Sequence, residues 1–128
     1  MKYTYTAVLT PSDDRYYCRV PDLPGCITTG KDLADAIDMI TDAASVWLLS
    51  HEDNNEPVIE PSPQSSIPHD ESDILSVIQI DSLKYRAETD TKAVRKNVSL
   101  PAWMATLADK QGINCSQVLQ DGLMAKFS

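Results

Sequence analysis

Residues 94–101 read VRKNVSLP, an alternation in which Val94, Val98 and Leu100 share one side of a strand and Arg95, Asn97 and Ser99 share the other. Lys96 is the one polar residue on the apolar side. From Pro101 the period becomes helical. Pro101 suits the first position of a helix, and Trp103, Met104, Leu107 and Ala108 recur at helical spacing until Gly112 supplies a left-handed end. Asn114 then caps a second helix, with Gln117 three residues on as a capping box and Val118, Leu119, Leu123 and Phe127 as the apolar stripe. One strand and two short helices cannot close a core, and a lone strand leaves its backbone groups unpaired. The strand must find a partner, and the simplest is its own copy.

Two copies give an antiparallel ribbon backed by four helices, with Arg95, Asn97 and Ser99 of each chain outward. Such a ribbon fits the major groove of DNA, where Arg reads guanine and Asn reads adenine through paired hydrogen bonds. Lys92 and Lys96 flank it with positive charge for phosphates. The alternative use of these residues is a solvated strand face.

The rest of the chain has opposite electrical character. Residues 1–83 carry 4 Lys+Arg against 15 Asp+Glu, minus 11, whereas residues 84–128 carry 7 against 4, plus 3. A field that negative repels nucleic acid and attracts basic partners, so any DNA contact belongs to the last segment. Cys18, Cys26 and Cys115 form no C-x-x-C pair and have no His at ligand spacing, which predicts reduced thiols and neither disulfide framework nor zinc site. With no apolar leader and no run near the roughly 18 residues of a membrane span, the expectation is a cytoplasmic protein that meets no membrane.

Along residues 1–81 the pattern predicts β-β-β-α-β. Tyr3, Tyr5, Ala7 and Leu9 alternate in a first strand, PSDDR turns the chain, YYCRV forms a second strand, and CITTG a third after the irregular PDLPG. Asp32 caps a helix whose inward face is Ala36, Ile37, Ile40, Ala44, Trp47 and Leu48. Residues 51–73, with four prolines, read as an irregular connector partly ordered around Val58 and Ile59, and ILSVIQI at 74–80 as the last strand. Residues 82–93 read as a polar linker, and 94–128 as a separate dimerisation and DNA-binding domain. The fold class expected is α+β.

Two resemblances sharpen this. Residues 94–128, in the order strand, L-P, helix, G-I-N, helix, resemble ribbon-helix-helix DNA-binding domains. That likeness implies a phosphate clamped by the backbone N–H groups of Asn114, Cys115 and Ser116 at a helix start. Residues 1–63 resemble HicB antitoxins through Tyr16 or Tyr17 leading into Val20-Pro21-Asp22-Leu23-Pro24-Gly25, Thr28 or Thr29 with Gly30, the helix bearing Ala34, Ala36, Ala43 and Ala44, and the later EPVIEPSP. The family implies a partial RNase H-like N-terminal unit that binds and blocks a HicA-like mRNA-cleaving ribonuclease. It also implies a C-terminal ribbon-helix-helix or helix-turn-helix domain that represses the shared operon, this chain being of the ribbon-helix-helix type. The expectation is a homodimer on operator DNA, with dimer and tetramer both left open. Lys96 and Gly122, the latter inside the second helix, depart from the usual pattern.

Catalysis is weighed beside these. Asp13, Asp14, Asp22, Asp35 and Asp38 would be the metal-holding carboxylates of a nuclease, but turn chemistry and a solvated helix face account for them without it. His51 and His69 lack a nucleophile at triad spacing. The tyrosines and Trp47 and Trp103 read as packing residues. No catalytic, cofactor or metal residue is expected. Three readings stay open: antitoxin and repressor, a ligand-responsive DNA-binding regulator without a toxin, and a hydrolase.

Overall fold

The computed structural model describes residues 1–128 and has two units, Met1–Tyr85 and Arg86–Ser128. The first is an antiparallel four-stranded sheet in the order β3-β2-β1-β4, with β1 at Lys2–Pro11, β2 at Tyr16–Arg19, β3 at Ile27–Gly30 and β4 at Ile74–Asp81. Helix α1, Leu33–Asp53, covers one face. The α+β class and the β-β-β-α-β order match the expectation.

Alternation positions the core. Tyr3, Tyr5, Ala7 and Leu9 of β1 meet Ile78 and Ile80 of β4, and Ala36, Ile40, Ala44 and Leu48 of α1 close over them. The other parity of β1 is less open than alternation implies, since Thr6 and Val8 on the outer face are also buried. Part of their cover is the connector, because Ile67 is buried and Arg19 donates to the Pro68 carbonyl at 2.9 Å.

Local chemistry sets the boundaries. Asp32 caps α1 by accepting from Asp35 N–H at 2.8 Å, and the Asp35 carboxylate reaches back to Lys31 N–H at 2.8 Å. Gly30 is required by packing: a Cβ there would lie 2.3 Å from Ala36 Cα. The helix runs three residues beyond the expected start of the connector, to Asp53, where His51 and Glu52 find partners in their side chains. The connector is tied down rather than loose, with Ile59 against the core and a 3-10 turn at Gln64–Ser66.

The stretch expected as linker opens with a helix. Helix α2 spans Ser82–Thr89, because Asp81 caps it through Lys84 N–H at 3.1 Å and Tyr85 donates to Asp42 of α1 at 3.0 Å.

The second unit contains α3, Ala102–Gln111, and α4, Cys115–Phe127. Pro101 sits one position earlier than expected, as the N-cap of α3, with φ −55° and ψ 142°. Gly112 takes the left-handed conformation at φ 65°, and the Ile113 N–H closes on the Ala108 carbonyl at 3.0 Å, a Schellman end. Asn114 accepts from Gln117 N–H at 3.1 Å, but the Gln117 amide turns to Asp121 at 2.9 Å, so the expected box is half made. Residues 94–100 form no strand in the single chain. All four strands lie within residues 2–81, and a ladder over 94–100 has no second strand in its own unit to pair with.

Candidate functional site

In the first unit the VPDLPG stretch is a rigid turn. Leu23 is buried, its N–H meets the Val20 carbonyl and its carbonyl accepts from Cys26 N–H, both at 3.0 Å, while Gly25 takes φ 81°. Two side chains fix the turn from outside. The Trp47 indole donates to the Pro24 carbonyl at 3.0 Å, and Asp22 accepts from the backbone and hydroxyl of Ser62. Trp47 also stacks on His51, whose Nε2 lies 2.6 Å from the Pro57 carbonyl and whose Nδ1 lies 2.9 Å from Glu56. A third tie is the Tyr5 hydroxyl, which donates to the Ile59 carbonyl at 2.6 Å.

These ties account for candidates considered from sequence. Asp22 holds the connector, Asp35 caps α1, Asp14 pairs with Arg15 at 3.1 Å, and Asp13 and Asp38 are exposed. No three His, Cys, Asp or Glu side chains converge as a metal site. His69 binds locally, its Nδ1 2.8 Å from the Ile67 carbonyl. Burial pushes the Cys18 and Cys26 thiols up, with Asp35 adding to the effect on Cys18. Neither resembles the electropositive setting of a reactive thiolate.

Missed in the sequence was a cluster that joins both ends of the unit. Glu52 near the end of α1 accepts from Tyr3 on β1 and from Ser82 at the start of α2 at 2.7 Å, and Ser82 N–H meets the Met1 carbonyl at 2.9 Å. Only the cap-like D-S-L-K at 81–84 could have announced α2. Also missed was the open part of the sheet's outer face, where Tyr17 and Ile27 stand exposed beside a groove of about 510 Å³.

In the second unit Lys92, Arg95, Lys96, Asn97 and Ser99 all lie exposed in the segment before α3, and Asn114, Cys115 and Ser116 at the start of α4 are exposed too. The first-turn N–H groups of Cys115 and Ser116 have no partner within a helix, whereas that of Gln117 is taken by Asn114. No residue of 86–128 is buried; Trp103, expected in a core, is 62% exposed and Phe127 61%. Val98, Leu100, Trp103, Leu107, Val118 and Leu119 line an apolar groove of about 640 Å³, and of the expected DNA-contact residues Lys96, Ser99, Cys115 and Ser116 also border it, so in the single chain Lys96 and Ser99 are not separated onto two faces. A unit with no buried apolar side chain cannot supply the burial that offsets ordering its backbone.

No helix of the chain is long and apolar enough to cross a membrane. The family model of the HicB-like antitoxins of bacterial toxin-antitoxin systems matches residues 5–128. UPF0150 protein Ta0767 of Thermoplasma acidophilum is 38% identical over 55 residues, 42% of this chain and 80% of that protein. Among solved structures, a chain of a toxin-antitoxin complex from Streptococcus pneumoniae aligns over 98% of this chain and 99% of its own, at TM-score 0.62 and 21% identity. The antitoxin HicB of Burkholderia pseudomallei aligns over 98% and 99%, at TM-score 0.56 and 19% identity. At such identities the two structures speak for the fold.

Proposed function

Because this chain belongs to the HicB-like antitoxin family of bacterial toxin-antitoxin systems, we propose that its first unit binds and blocks a small basic RNA-cleaving toxin of the HicA type. The second unit, as a homodimer, binds operator DNA and represses the operon. The protein acts without catalysis, in the cytoplasm, where its thiols stay reduced.

The observation that carries this reading is the contrast between the units. Residues 1–83 hold minus 11 of charge around a closed core, and residues 86–128 hold a basic segment with no buried side chain. An acidic, self-sufficient surface suits a basic enzyme that must itself grip RNA, since complementary charge speeds encounter and packed anchors slow release. A basic unit without an interior suits obligate pairing. Two copies would join their 94–100 segments as a ribbon and fill each other's groove with Val98, Leu100 and Trp103.

In that dimer Arg95, Asn97 and Ser99 read base edges, Lys92 and Lys96 meet phosphates, and the helix start at Asn114, Cys115 and Ser116 clamps another phosphate. The test is co-expression with the product of the adjacent short, basic reading frame, followed by light scattering and operator binding. A complex that contains the basic protein and at least two copies of this chain supports the reading. A monomeric chain that ignores both the basic protein and its own upstream DNA removes it.

A further inference from the structure

We propose that the open outer face of the β2–β3 half of the sheet is the surface on which the basic partner docks, with an apolar side chain seated between Tyr17 and Ile27 and basic side chains on the carboxylates at the sheet's end. The proposal rests on the reading that the first unit binds a basic ribonuclease, and it adds the place.

Strand register assigns the face. Thr10 pairs with Tyr17, Tyr17 with Thr29, and Arg19 with Ile27, so these side chains share one side of the sheet, opposite α1. The connector covers this side only in part, where Arg19 holds the Pro68 carbonyl. Beyond that point Ile27 is 70% exposed and Tyr17 52%, along the groove of about 510 Å³. A tyrosine and an isoleucine standing out of a sheet whose other side is already packed have no structural duty to the fold, and such rigid side chains are the usual anchors of interfaces.

Charge identifies the occupant. Leu9 pairs with Ile74 and Pro11 with Tyr16, so the β1–β2 turn and the end of the connector meet at one end of the sheet. Asp13, Asp14, Asp70, Glu71 and Asp73 gather there against Arg15 and Arg19, five negative against two positive. Arg15 pairs with Asp14, and Arg19 donates to the Pro68 carbonyl while its charge helps hold the Asp73 carboxyl below its ordinary value, so this end of the sheet stays net negative. Asp73, whose carboxylate accepts from the Asp70 N–H at 2.9 Å, and Asp70 line a pocket that shares Thr10 and Arg19 with the apolar groove. An apolar floor continuous with a rim of net negative charge, on which Asp13, Asp70 and Glu71 are exposed, fits Lys or Arg beside an apolar knob. A second copy of this acidic unit would bring like charge to the same rim.

The test uses the full chain and the purified product of the adjacent basic reading frame. Tyr17→Lys with Ile27→Lys should weaken the complex by roughly thirtyfold or more. Asp70→Lys with Glu71→Lys should mainly slow association. Met39→Lys with Val46→Lys, at exposed positions of α1 across the sheet, should leave affinity within about threefold. Circular dichroism checks folding, and Ile27→Ser alone serves if the double lysine variant does not fold. Wild-type affinity in both Ile27 variants would overturn the docking face while leaving the antitoxin reading intact. Absence of any wild-type complex would overturn both. A smaller mass of the toxin-free chain on Tyr17→Lys with Ile27→Lys would show that a second copy covers the face, and would overturn the assignment to the basic partner.

Discussion

Asp22 takes both hydrogen bonds that Ser62 can give, its Oδ2 from the backbone N–H at 2.8 Å and its Oδ1 from the hydroxyl at 2.6 Å. Forty residues apart, the two join the turn after β2 to the proline-rich connector. Asp22→Ala should cost about 1–3 kcal/mol, because a partly buried hydroxyl and N–H lose their acceptor. Asp22→Asn keeps one acceptor and should cost less. Denaturant midpoints measure both, and limited proteolysis should cut the alanine variant earlier near Ser62.

Gly30→Ala should destabilise the first unit by about 1–3 kcal/mol or more. The new methyl would meet backbone atoms of Ala36 at 2.3 and 2.4 Å, and a helix start cannot yield as a flexible side chain can. A thermal midpoint unchanged from wild type would show that β3 and α1 are not so closely apposed.

These two predictions mark what the sequence could reveal. Caps were legible because they are local: Asp32, Gly112 and Asn114 each act within a few residues of themselves. The apolar period of α1 likewise named Ala36, Ile40, Ala44 and Leu48 correctly. Asp22 with Ser62, and Glu52 with Tyr3 and Ser82, were not legible, since nothing in a polar residue's neighbours says which distant group will meet it. Helix α2 escaped because SLKYRAET has no apolar stripe and its tie is the distant Tyr85–Asp42 bond. The expected strand over 94–100 is absent from the single chain, where its own unit offers no second strand to pair with.

Stability of the first unit should fall on the alkaline side. Burial raises Tyr5 above its ordinary value, with Asp22 and Glu60 adding to it, and burial raises Cys18 and Cys26. Groups whose folded values are raised stabilise fully below their unfolded values, and that contribution is lost as pH climbs through the folded ones. The decline should begin near the ordinary thiol value of about 8.5 and steepen above about 10, where tyrosine joins. Tyr5→Phe should start about 1 kcal/mol lower, having lost the bond to Ile59, yet decline less steeply above about pH 10. Thermal midpoints across that range decide it.

The second unit should depend on pairing. Leu107→Glu places a charge in the groove that a second copy would fill, so light scattering should report monomers and operator binding should disappear while the first unit still melts normally. Asn97→Ala should instead keep the dimer, cost about 1–3 kcal/mol on the cognate site and relax preference at one base. Lys92→Ala should weaken all sequences alike and lower the salt slope by about 1. A dimeric, fully DNA-binding Leu107→Glu variant would exclude this mode of assembly.

The antitoxin assignment is tested most directly by titrating RNA cleavage by the proposed basic ribonuclease, the product expected from an adjacent reading frame, with the full chain and with residues 1–89, a fragment that keeps α2 and the Tyr85–Asp42 bond. Cleavage should fall to background near equimolar ratio in both titrations, with the fragment retaining no operator binding. Undiminished cleavage at saturating full-length chain would contradict the assignment, and inhibition by the full chain alone would place neutralisation in the second unit or in the dimer.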